Sequence, residues 1–449
     1  MMKRLLLAAV VLAAGMAWAG NPIVQNQGVC DPHIRIYDGR AWLYASQDYS
    51  VSNPTHDMRL WWVWSSADLV NWTMENCLRP ETTHLNNPNF RACWATDSAT
   101  RNGKYYWYYS VSMHGTGVVV GDTPRGPWSE SKPIHFPEAK TKTYDPGILM
   151  GDDGTNYIVV GAFDYYIARL GDDMMSLAET PHLIEIAGKR GPYGEGKTDD
   201  KPYLHKRNGK YYLSWGCYYA MADNPYGPYI YKGVILVKDR IAPAFQQPVM
   251  KCEDGGWVHD RHGSFFELNN QWYFACNTSS GPGVANFFRG TIMGYVHYRD
   301  NGEIEPVYFD ETGVGRYDAA QGRIEAENYF AMTNAVKRQC PAGGFEIRGI
   351  KEGSYLVYPK VFNLPGKRIT LSFRVSSVVE GATIEVRART LDGSVLTKCV
   401  VPKTGDWATY QTVAVPFGGV EGQADIYLVF KGAGEELLRL DWMEFGKPM

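Results

Sequence analysis

One pattern of apolar and polar positions recurs through roughly the first 300 residues of the chain. Each copy has a turn that contains Gly or Asn, followed by a short run of aromatic and β-branched residues, which is typical of a β-strand. The five copies begin at Gly39, Gly103, Gly154, Gly209 and Asn270, about 50 to 65 residues apart. That period accommodates four short strands with their loops, the content of one propeller blade. Five copies therefore predict a five-bladed β-propeller.

The pattern changes after Arg316, where the aromatic repeat stops and short alternating strands without a helical period begin. Examples of these strands are residues 353–358, 369–375 and 424–430. About 125 residues of this kind are typical of an antiparallel β-sandwich, here of the jelly-roll type. The prediction is an all-β protein in which residues 20–316 form the propeller and residues 317–449 form the sandwich.

The N-terminal residues have the layout of a secretory signal. Lys3 and Arg4 precede an apolar run that starts at Leu5 and ends in small residues at Ala19. We therefore predict that residues 1–19 are a signal peptide and that the protein is secreted or periplasmic. The apolar run is shorter than the ~20 residues of a membrane-spanning helix, and no later segment is apolar over that length, so no membrane span is predicted.

Composition argues against several other classes of protein. The net charge is −3 and the basic residues do not cluster, which argues against a nucleic-acid partner. The eight cysteines have no CxxC spacing, so a zinc site is not supported, and their pairing stays open. Aromatic residues make up 14% of the chain, and such rings both form strands and stack on sugar faces.

A polar residue stands six to nine positions before each repeated turn. These residues are Asp31, Asp97, Asp145, Asp200 and His262. Because the innermost strands of propeller blades line a common axis, residues at equivalent strand starts are expected to meet in one funnel. A single Asp before Pro, as at Asp31 and Asp145, commonly serves only as a turn residue. A set in register across the blades favours function instead.

Carboxyl groups that meet in a funnel suit the hydrolysis of a glycosidic bond with inversion. One carboxylic acid protonates the leaving oxygen, and one carboxylate activates the attacking water. A third carboxylate nearby raises the pKa of the acid by like-charge repulsion and keeps it protonated.

Short motifs over roughly residues 22–310 make the chain resemble glycoside hydrolase family 43. They include Cys30-Asp31-Pro32-His33-Ile34, Trp94-Ala95-Thr96-Asp97, Tyr144-Asp145-Pro146-Gly147, Arg261-His262-Gly263-Ser264 and Phe288-Arg289. The resemblance implies that Asp31 is the general base and that Asp145 orients the general acid and tunes its pKa. It also implies that Trp94 and Arg289 bind the sugar, and that His262 lies on the axis beside a calcium ion or water. A hydrogen-bonded structural histidine is the alternative for His262, and an ion-paired residue is the alternative for Arg289.

The general acid is the point at which the sequence departs from that family. The family has Glu-Gly-Pro or a close variant here, whereas this chain has Asp200-Lys201-Pro202. Asp200 is the first candidate for the acid, with a side chain one methylene shorter. Glu195, on a glycine-flanked loop, is the second candidate, and Asp199 is the third.

The C-terminal part, roughly residues 322–446, resembles carbohydrate-binding module family 6. The resemblance rests on Ile324-Glu325-Ala326-Glu327, Gly405-Asp406-Trp407-Ala408-Thr409-Tyr410 and Leu440-Asp441-Trp442. It implies that Glu325, Glu327 and Asp441 are ligands of a structural calcium ion, because clustered oxygen donors suit calcium. Ion pairs with neighbouring arginines are the alternative. It also implies that a sugar stacks on Trp407, although Arg439 stands where many members have Asn and Phe345 is only a possible second ring.

The two resemblances together imply an inverting glycoside hydrolase that acts on plant cell-wall polysaccharide, and we expect it to be a monomer with no organic cofactor. The first expectation is an exo-acting α-L-arabinofuranosidase. The alternatives are a β-xylosidase, an arabinanase, a galactan-cleaving enzyme, or a non-catalytic carbohydrate-binding propeller. Subsite shape is expected to depend on loops such as residues 82–90 and 188–198, whose sequences do not reveal it.

Overall fold

The computed structural model describes residues 20–137, 139, 142–245, 261–279 and 287–448. The predicted signal peptide and Cys252 lie outside these ranges. Apart from strands, the described residues form six 3-10 helices: Pro80–Thr82, Ser112–His114, Lys238–Arg240, Pro243–Phe245, Ala319–Gln321 and Ala326–Asn328. In the same ranges, no helix has the length and apolar character needed to cross a membrane. The all-β prediction is confirmed.

Five sheets follow one another along the first part of the chain, and consecutive strands in each are antiparallel neighbours. The strands of sheet I are Val29–Tyr37, Arg40–Asp48, Met58–Ser66 and Thr73–Leu78. Those of sheet II are Cys93–Arg101, Lys104–Val111, Thr116–Gly121 and Trp128–Ile134. Those of sheet III are Gly147–Met150, Asn156–Ala162, Asp164–Arg169 and His182–Leu183.

Sheets IV and V have the same layout. The strands of sheet IV are Pro202–Arg207, Lys210–Trp215, Tyr218–Ala222 and Tyr229–Val234, with Ile186–Ala187 parallel to the last. Those of sheet V are Gly263–Leu268, Gln271–Ser279, Arg289–Tyr298 and Ile304–Glu305. A separate hairpin pairs Arg190–Gly191 with Gly194–Glu195. The repeated turn of the sequence lies between the first two strands of every sheet, where Gly39 and Gly103 have φ of 72° and 73°.

The first strands of the five sheets contact one another in order, and the first strand of sheet V contacts that of sheet I. Hydrogen bonds cross these junctions. Ile34 N donates to Ser264 Oγ at 3.0 Å between sheets I and V, and Ile148 N donates to Asp97 Oδ2 at 2.7 Å between sheets II and III. The starts of the first strands are thereby brought to one region of the molecule.

Two further sheets form the C-terminal part. One has Val336–Gln339, Phe345–Arg348, Arg439–Pro448, Ile369–Ser376 and Gln411–Phe417 in this order, with Arg323–Glu325 paired to Arg439–Pro448. The other has Ala331–Thr333, Tyr355–Pro365, Glu421–Lys431, Thr383–Ala388 and Val395–Val400. Ile369, Leu371, Phe373 and Val375 are buried and alternate with partly exposed residues, as a strand with one buried face requires.

Each part of the chain has its own core. The apolar cluster of the C-terminal part contains only residues between Tyr317 and Phe445, whereas the other clusters lie before it in the chain. Polar contacts join the two parts, because Gln271 Nε2 donates to the carbonyl oxygens of Glu327 and Tyr329 at 2.7 and 3.1 Å. The seven cysteines among the described residues are not in disulfide bonds.

Candidate active site

A cavity of about 230 Å³ opens where the first strands begin, and all five sheets contribute to it. Six of the residues singled out in the sequence line this cavity: Asp31, Trp94, Asp145, Asp200, His262 and Arg289. His56, Met58, Met113 and Tyr144 complete its wall. A larger cavity of about 560 Å³ lies between the two parts of the chain, but the carboxyl groups predicted for catalysis do not line it.

Three residues at or just before the start of a first strand share an unusual backbone conformation. Asp31, Asp145 and Lys201 have φ of 53°, 54° and 62°, and each directly precedes a proline. Residues other than glycine rarely adopt this conformation, and such strain is concentrated at functional sites. The residue of sheet IV that matches Asp31 and Asp145 is therefore Lys201, and Asp200 stands one position earlier.

Asp31 is buried, and polar partners hold its carboxylate in place. Asn277 Nδ2 donates to Asp31 Oδ1 at 2.7 Å, and the Asp31 backbone N donates to Asn277 Oδ1 at 2.6 Å. Arg289 Nη1 lies 3.2 Å from Asp31 Oδ1, and its charge stabilises the carboxylate form that a base needs. Arg289 is itself fixed by Asp48, through bonds of 2.8 and 2.9 Å.

Sequence reasoning missed Asp48 and Asn277. Both lie in the second strands of their sheets, at the ends nearest to the cavity, outside the repeated pattern that marked the first strands. The sequence marks each of them only as a polar residue near the end of an apolar strand, and that pattern alone does not indicate a contact with Asp31 or Arg289.

The pKa of Asp145 is strongly perturbed by its surroundings. Burial raises its pKa well above the usual range, and the nearby Asp200 and Asp31 carboxylates raise it further. Ser110 Oγ donates to Asp145 Oδ1 at 3.3 Å, and the Lys201 backbone N donates to Asp145 Oδ2 at 3.1 Å. The like charges of its neighbours thus act together with burial to favour the protonated form of Asp145.

Asp200 lines the cavity, and its carboxylate accepts a hydrogen bond from the Lys201 ammonium. The same Lys201 Nζ also donates to Asp199 Oδ2 at 3.1 Å. Burial raises the pKa of Asp199 to about 6 against the opposing effect of Lys201, but Asp199 does not line the cavity. Glu195 lies outside the cavity on an exposed hairpin, 4.0 Å from Arg190 Nη2.

The expectation that Asp97 reaches the same funnel is wrong. Asp97 is fully buried and binds the Arg35 guanidinium and the Ile148 backbone N. Although burial raises its pKa, Arg35 and His33 outweigh that effect and lower the pKa to about 2. Asp97 is the fifth residue of its strand rather than the first, so Trp94 occupies the position at the cavity.

His262 meets the axis as predicted, but its contact there is another histidine. Its Nε2 lies 3.1 Å from His33 Nε2, and burial lowers the His262 pKa to about 3, so the ring is neutral. No group of three or more His, Cys, Asp or Glu among the described residues is arranged to hold a metal ion. The contact with His33 is the one that a hydrogen-bonded structural histidine would make.

The calcium ligands predicted in the sandwich form an incomplete set. Asp441 pairs with the Arg374 guanidinium, which is the kind of ion pair that competes with a metal-binding role. Burial raises the pKa of Glu327 well above its usual range, and Glu325 and Asp441 raise it further. Glu327 Oε2 is buried without a hydrogen-bond partner among the described residues, so one carboxylate oxygen remains for a cation.

The predicted sugar-binding face of the sandwich is covered by an arginine. The Arg439 guanidinium lies 4.7 Å from the centre of the Trp407 ring, and Arg439 Nε donates to Glu436 at 3.3 Å. Phe345 is buried and stacks on His297 with ring centres 4.9 Å apart, so the idea of Phe345 as a second platform ring is wrong. Trp407 therefore stacks on a cation of the chain itself.

Carboxyl groups gathered in one small cavity, with an arginine beside one of them, are the groups that a glycoside hydrolase needs. Comparison with known families names the group. The profile described as "Glycosyl hydrolases family 43" matches residues 19–304, and the one described as "Carbohydrate binding module (family 6)" matches residues 325–447. The chain belongs to glycosyl hydrolases family 43, as the motifs predicted.

Individual relatives resemble the whole chain or about its first two thirds. An arabinoxylan arabinofuranohydrolase of Paenibacillus polymyxa is 28% identical over 95% of this chain and 74% of its own length. The crystal structure of an arabinoxylan arabinofuranohydrolase from Bacillus subtilis, in complex with cellotetraose, has a TM-score of 0.56 and 24% identity, covering 96% of this chain and 98% of that one. A β-xylosidase/α-arabinofuranosidase from a compost microbial metagenome has a TM-score of 0.53 and 27% identity, covering 65% and 97%.

Proposed function

We propose that this glycoside hydrolase is an inverting, exo-acting α-L-arabinofuranosidase that removes arabinose side groups from a plant cell-wall polysaccharide. The observation that carries the proposal is the cavity that gathers Asp31, Asp145 and Asp200 beside Arg289. At about 230 Å³ it is smaller than most ligand pockets, which suits one terminal pentose rather than a polymer chain.

The proposed mechanism uses three carboxyl groups. Asp31 removes a proton from the water that attacks the anomeric carbon, while Asp200 donates a proton to the leaving glycosidic oxygen. The bond between the anomeric carbon and that oxygen breaks, so Asp31 ends protonated and Asp200 ends ionised. Asp145 interacts electrostatically with both groups, because burial and the charges of Asp200 and Asp31 raise its pKa. Proton exchange with solvent restores the starting state.

The relatives support the substrate class. The Paenibacillus and Bacillus proteins are named for arabinoxylan and arabinofuranose, and the compost enzyme is named for both xyloside and arabinofuranoside cleavage. A β-xylosidase is therefore the second candidate, since it would need the same carboxyl groups and a cavity for one pentose. An arabinanase or a galactan-cleaving enzyme would differ in substrate profile, and a non-catalytic binding protein would turn over no substrate at all.

The proposal also includes the domain architecture, the export, the oligomeric state and a structural metal ion. We infer a five-bladed propeller over residues 20–316, because five sheets contact one another in a ring through their first strands, and a jelly-roll sandwich over residues 317–449. We also infer export through a signal peptide at residues 1–19, and a monomer. A structural calcium ion beside Glu327 is supported by its unpartnered oxygen, although the geometry lacks a full ligand set among the described residues.

The test is hydrolysis of 4-nitrophenyl α-L-arabinofuranoside, 4-nitrophenyl β-D-xyloside and arabinoxylan by the intact protein and by Asp31→Asn, Asp200→Asn and Glu195→Gln. We expect Asp31→Asn and Asp200→Asn to lose about 10²- to 10⁴-fold in kcat, the usual worth of a general base or acid. Glu195→Gln is the control and should keep full activity, because Glu195 lies outside the cavity.

Results that differ from this expectation have a definite meaning. Loss of activity in Glu195→Gln, with Asp200→Asn unaffected, would make Glu195 the acid. Intact protein that turns over none of these substrates, nor arabinan or galactan, would favour a non-catalytic binding protein. Inversion itself is checked by NMR, which should detect the β-anomer of arabinose as the first product.

A further inference from the structure

Two aromatic rings stand together in solvent near the cavity. Phe163 and Tyr193 are each 50% exposed, and their ring centres are 5.6 Å apart with a tilt of 59°. Large apolar side chains that pair on the surface instead of in a core mark an interaction site. Tyr193 belongs to the loop of residues 188–198, which the sequence suggested as a source of specificity.

Phe163 holds its position at the expense of backbone strain. It is the single residue between the strands Asn156–Ala162 and Asp164–Arg169, and its φ is 68°, a conformation that is rare for a bulky residue. A glycine would adopt this turn without strain. The ring at this position is therefore present for a reason other than the turn.

The turn is tied to the segment that carries the proposed acid. Phe163 N donates to the Asp199 carbonyl oxygen at 2.9 Å, and Thr198 Oγ1 donates to the Phe163 carbonyl oxygen. Gly161 N donates to the carbonyl oxygen of Tyr144, a residue of the cavity wall, at 3.0 Å. Both ends of the turn are thus fixed beside the cavity, on the side of Asp200.

Tyr193 is close to the same carboxylates. Burial raises the pKa of its hydroxyl, and the charges of Asp199 and Asp200 act in the same direction while Lys201 opposes them. Half-exposed aromatic faces are surfaces on which a pyranose ring can stack.

We propose that Phe163 and Tyr193 form the platform for the leaving group, the pyranose ring of the polysaccharide backbone that carries the scissile arabinose. The inference rests on the proposed function, because Asp200 donates its proton to the oxygen between the two sugars. With the terminal sugar inside the cavity, the sugar on the other side of that oxygen lies outside it on the Asp200 side. The exposed rings occupy that side.

The test compares Phe163→Ala and Tyr193→Ala with the intact protein on two substrates. On an arabinoxylo-oligosaccharide, each variant should lose about tenfold in kcat/KM, the effect of losing one ring contact. On methyl α-L-arabinofuranoside, whose leaving group has no ring, kcat/KM should stay within about twofold. Inhibition by unsubstituted xylo-oligosaccharides should weaken about tenfold, while inhibition by free arabinose stays constant.

Two further variants serve as controls. Tyr193→Phe keeps the ring and should behave as the intact protein, and Tyr308→Ala removes an equally exposed ring that lies against the C-terminal part and should change nothing. Equal losses on both substrates would mean a structural role and would overturn the inference. So would unchanged kinetics in both platform variants. An intact protein that cleaves neither substrate would instead contradict the proposed function.

Discussion

Lys201 is an unusual residue type for the backbone conformation that it adopts. Its φ of 62° is one that glycine adopts without strain, and holding another residue there costs roughly 1–3 kcal/mol. Its side chain is nonetheless buried, with the ammonium between Asp199 and Asp200. The same ammonium opposes the rise in the pKa of Asp145 that burial causes, so it acts on the carboxyl groups of the cavity through its charge.

Replacing Lys201 by Met should therefore move the alkaline limb of the profile of kcat/KM against pH to higher pH, by about one unit. The reason is that the Lys201 ammonium lowers the pKa of Asp145, so its removal keeps this carboxyl group of the cavity protonated to a higher pH. The measurement is the pH profile on 4-nitrophenyl α-L-arabinofuranoside. Lys189→Met, which removes an exposed ammonium paired with Asp164, is the matched control. Superimposable profiles for Lys201→Met and the intact protein would contradict this account.

At the scale of single elements, the position of Arg439 at the start of a strand determines whether the Trp407 ring is accessible. Arg439 begins the strand Arg439–Pro448, and from there its guanidinium covers the Trp407 ring at 4.7 Å. A cation over an indole face is worth about 0.5–1 kcal/mol at an exposed site. A sugar must displace it to stack on the ring, so the sandwich should bind carbohydrate weakly as it stands.

Arg439→Asn should expose the ring and tighten binding to soluble xylan about two- to fivefold. The measurement is affinity electrophoresis in a native gel, made on the Asp31→Asn background so that the polysaccharide survives. Trp407→Ala should abolish whatever binding the sandwich contributes. If Arg439→Asn and Trp407→Ala migrate alike, the sandwich binds no sugar through this face.

At the scale of the whole molecule, buried neutral histidines couple stability to pH. His205 is buried between Tyr212 and Phe265, with ring centres at 4.6 and 4.4 Å, and its Nε2 lies 2.8 Å from Tyr298 Oη. Burial lowers its pKa to about 3. The unfolded chain binds a proton at this histidine below about pH 6.5, whereas the folded protein does so only near pH 3.

The free energy of unfolding should therefore be highest above pH 6.5 and fall as the pH drops, by about 1.4 kcal/mol per pH unit from His205 alone. His205→Gln cannot titrate, so its loss of unfolding free energy between about pH 6.5 and 4.5 should be smaller by roughly 2 kcal/mol. Urea unfolding at several pH values measures both slopes. Parallel slopes for the two proteins would show that His205 is not the source.

Much of this architecture follows from the chain alone. The five aromatic repeats predict five sheets in order because strand periodicity and turn chemistry are local properties, visible wherever Gly or Asn separates two apolar runs. The change of pattern after Arg316 predicts a second core for the same reason. Asp31 and Asp145 are also recognisable, since each stands before a proline at the start of a first strand.

The contacts and the accessibility of individual side chains depend on residues that are distant in sequence. Asp97 fits the repeat, yet Arg35 from the adjacent sheet draws it into an ion pair, and Trp94 takes the place at the cavity. Asp48 and Asn277 fix Arg289 and Asp31 across gaps of more than two hundred residues. The separation of Asp200 inside the cavity from Glu195 outside it was likewise decided by folding. Local pattern determines strands and turns, but charge pairing and access depend on which sheets meet, and only the tertiary structure decides that.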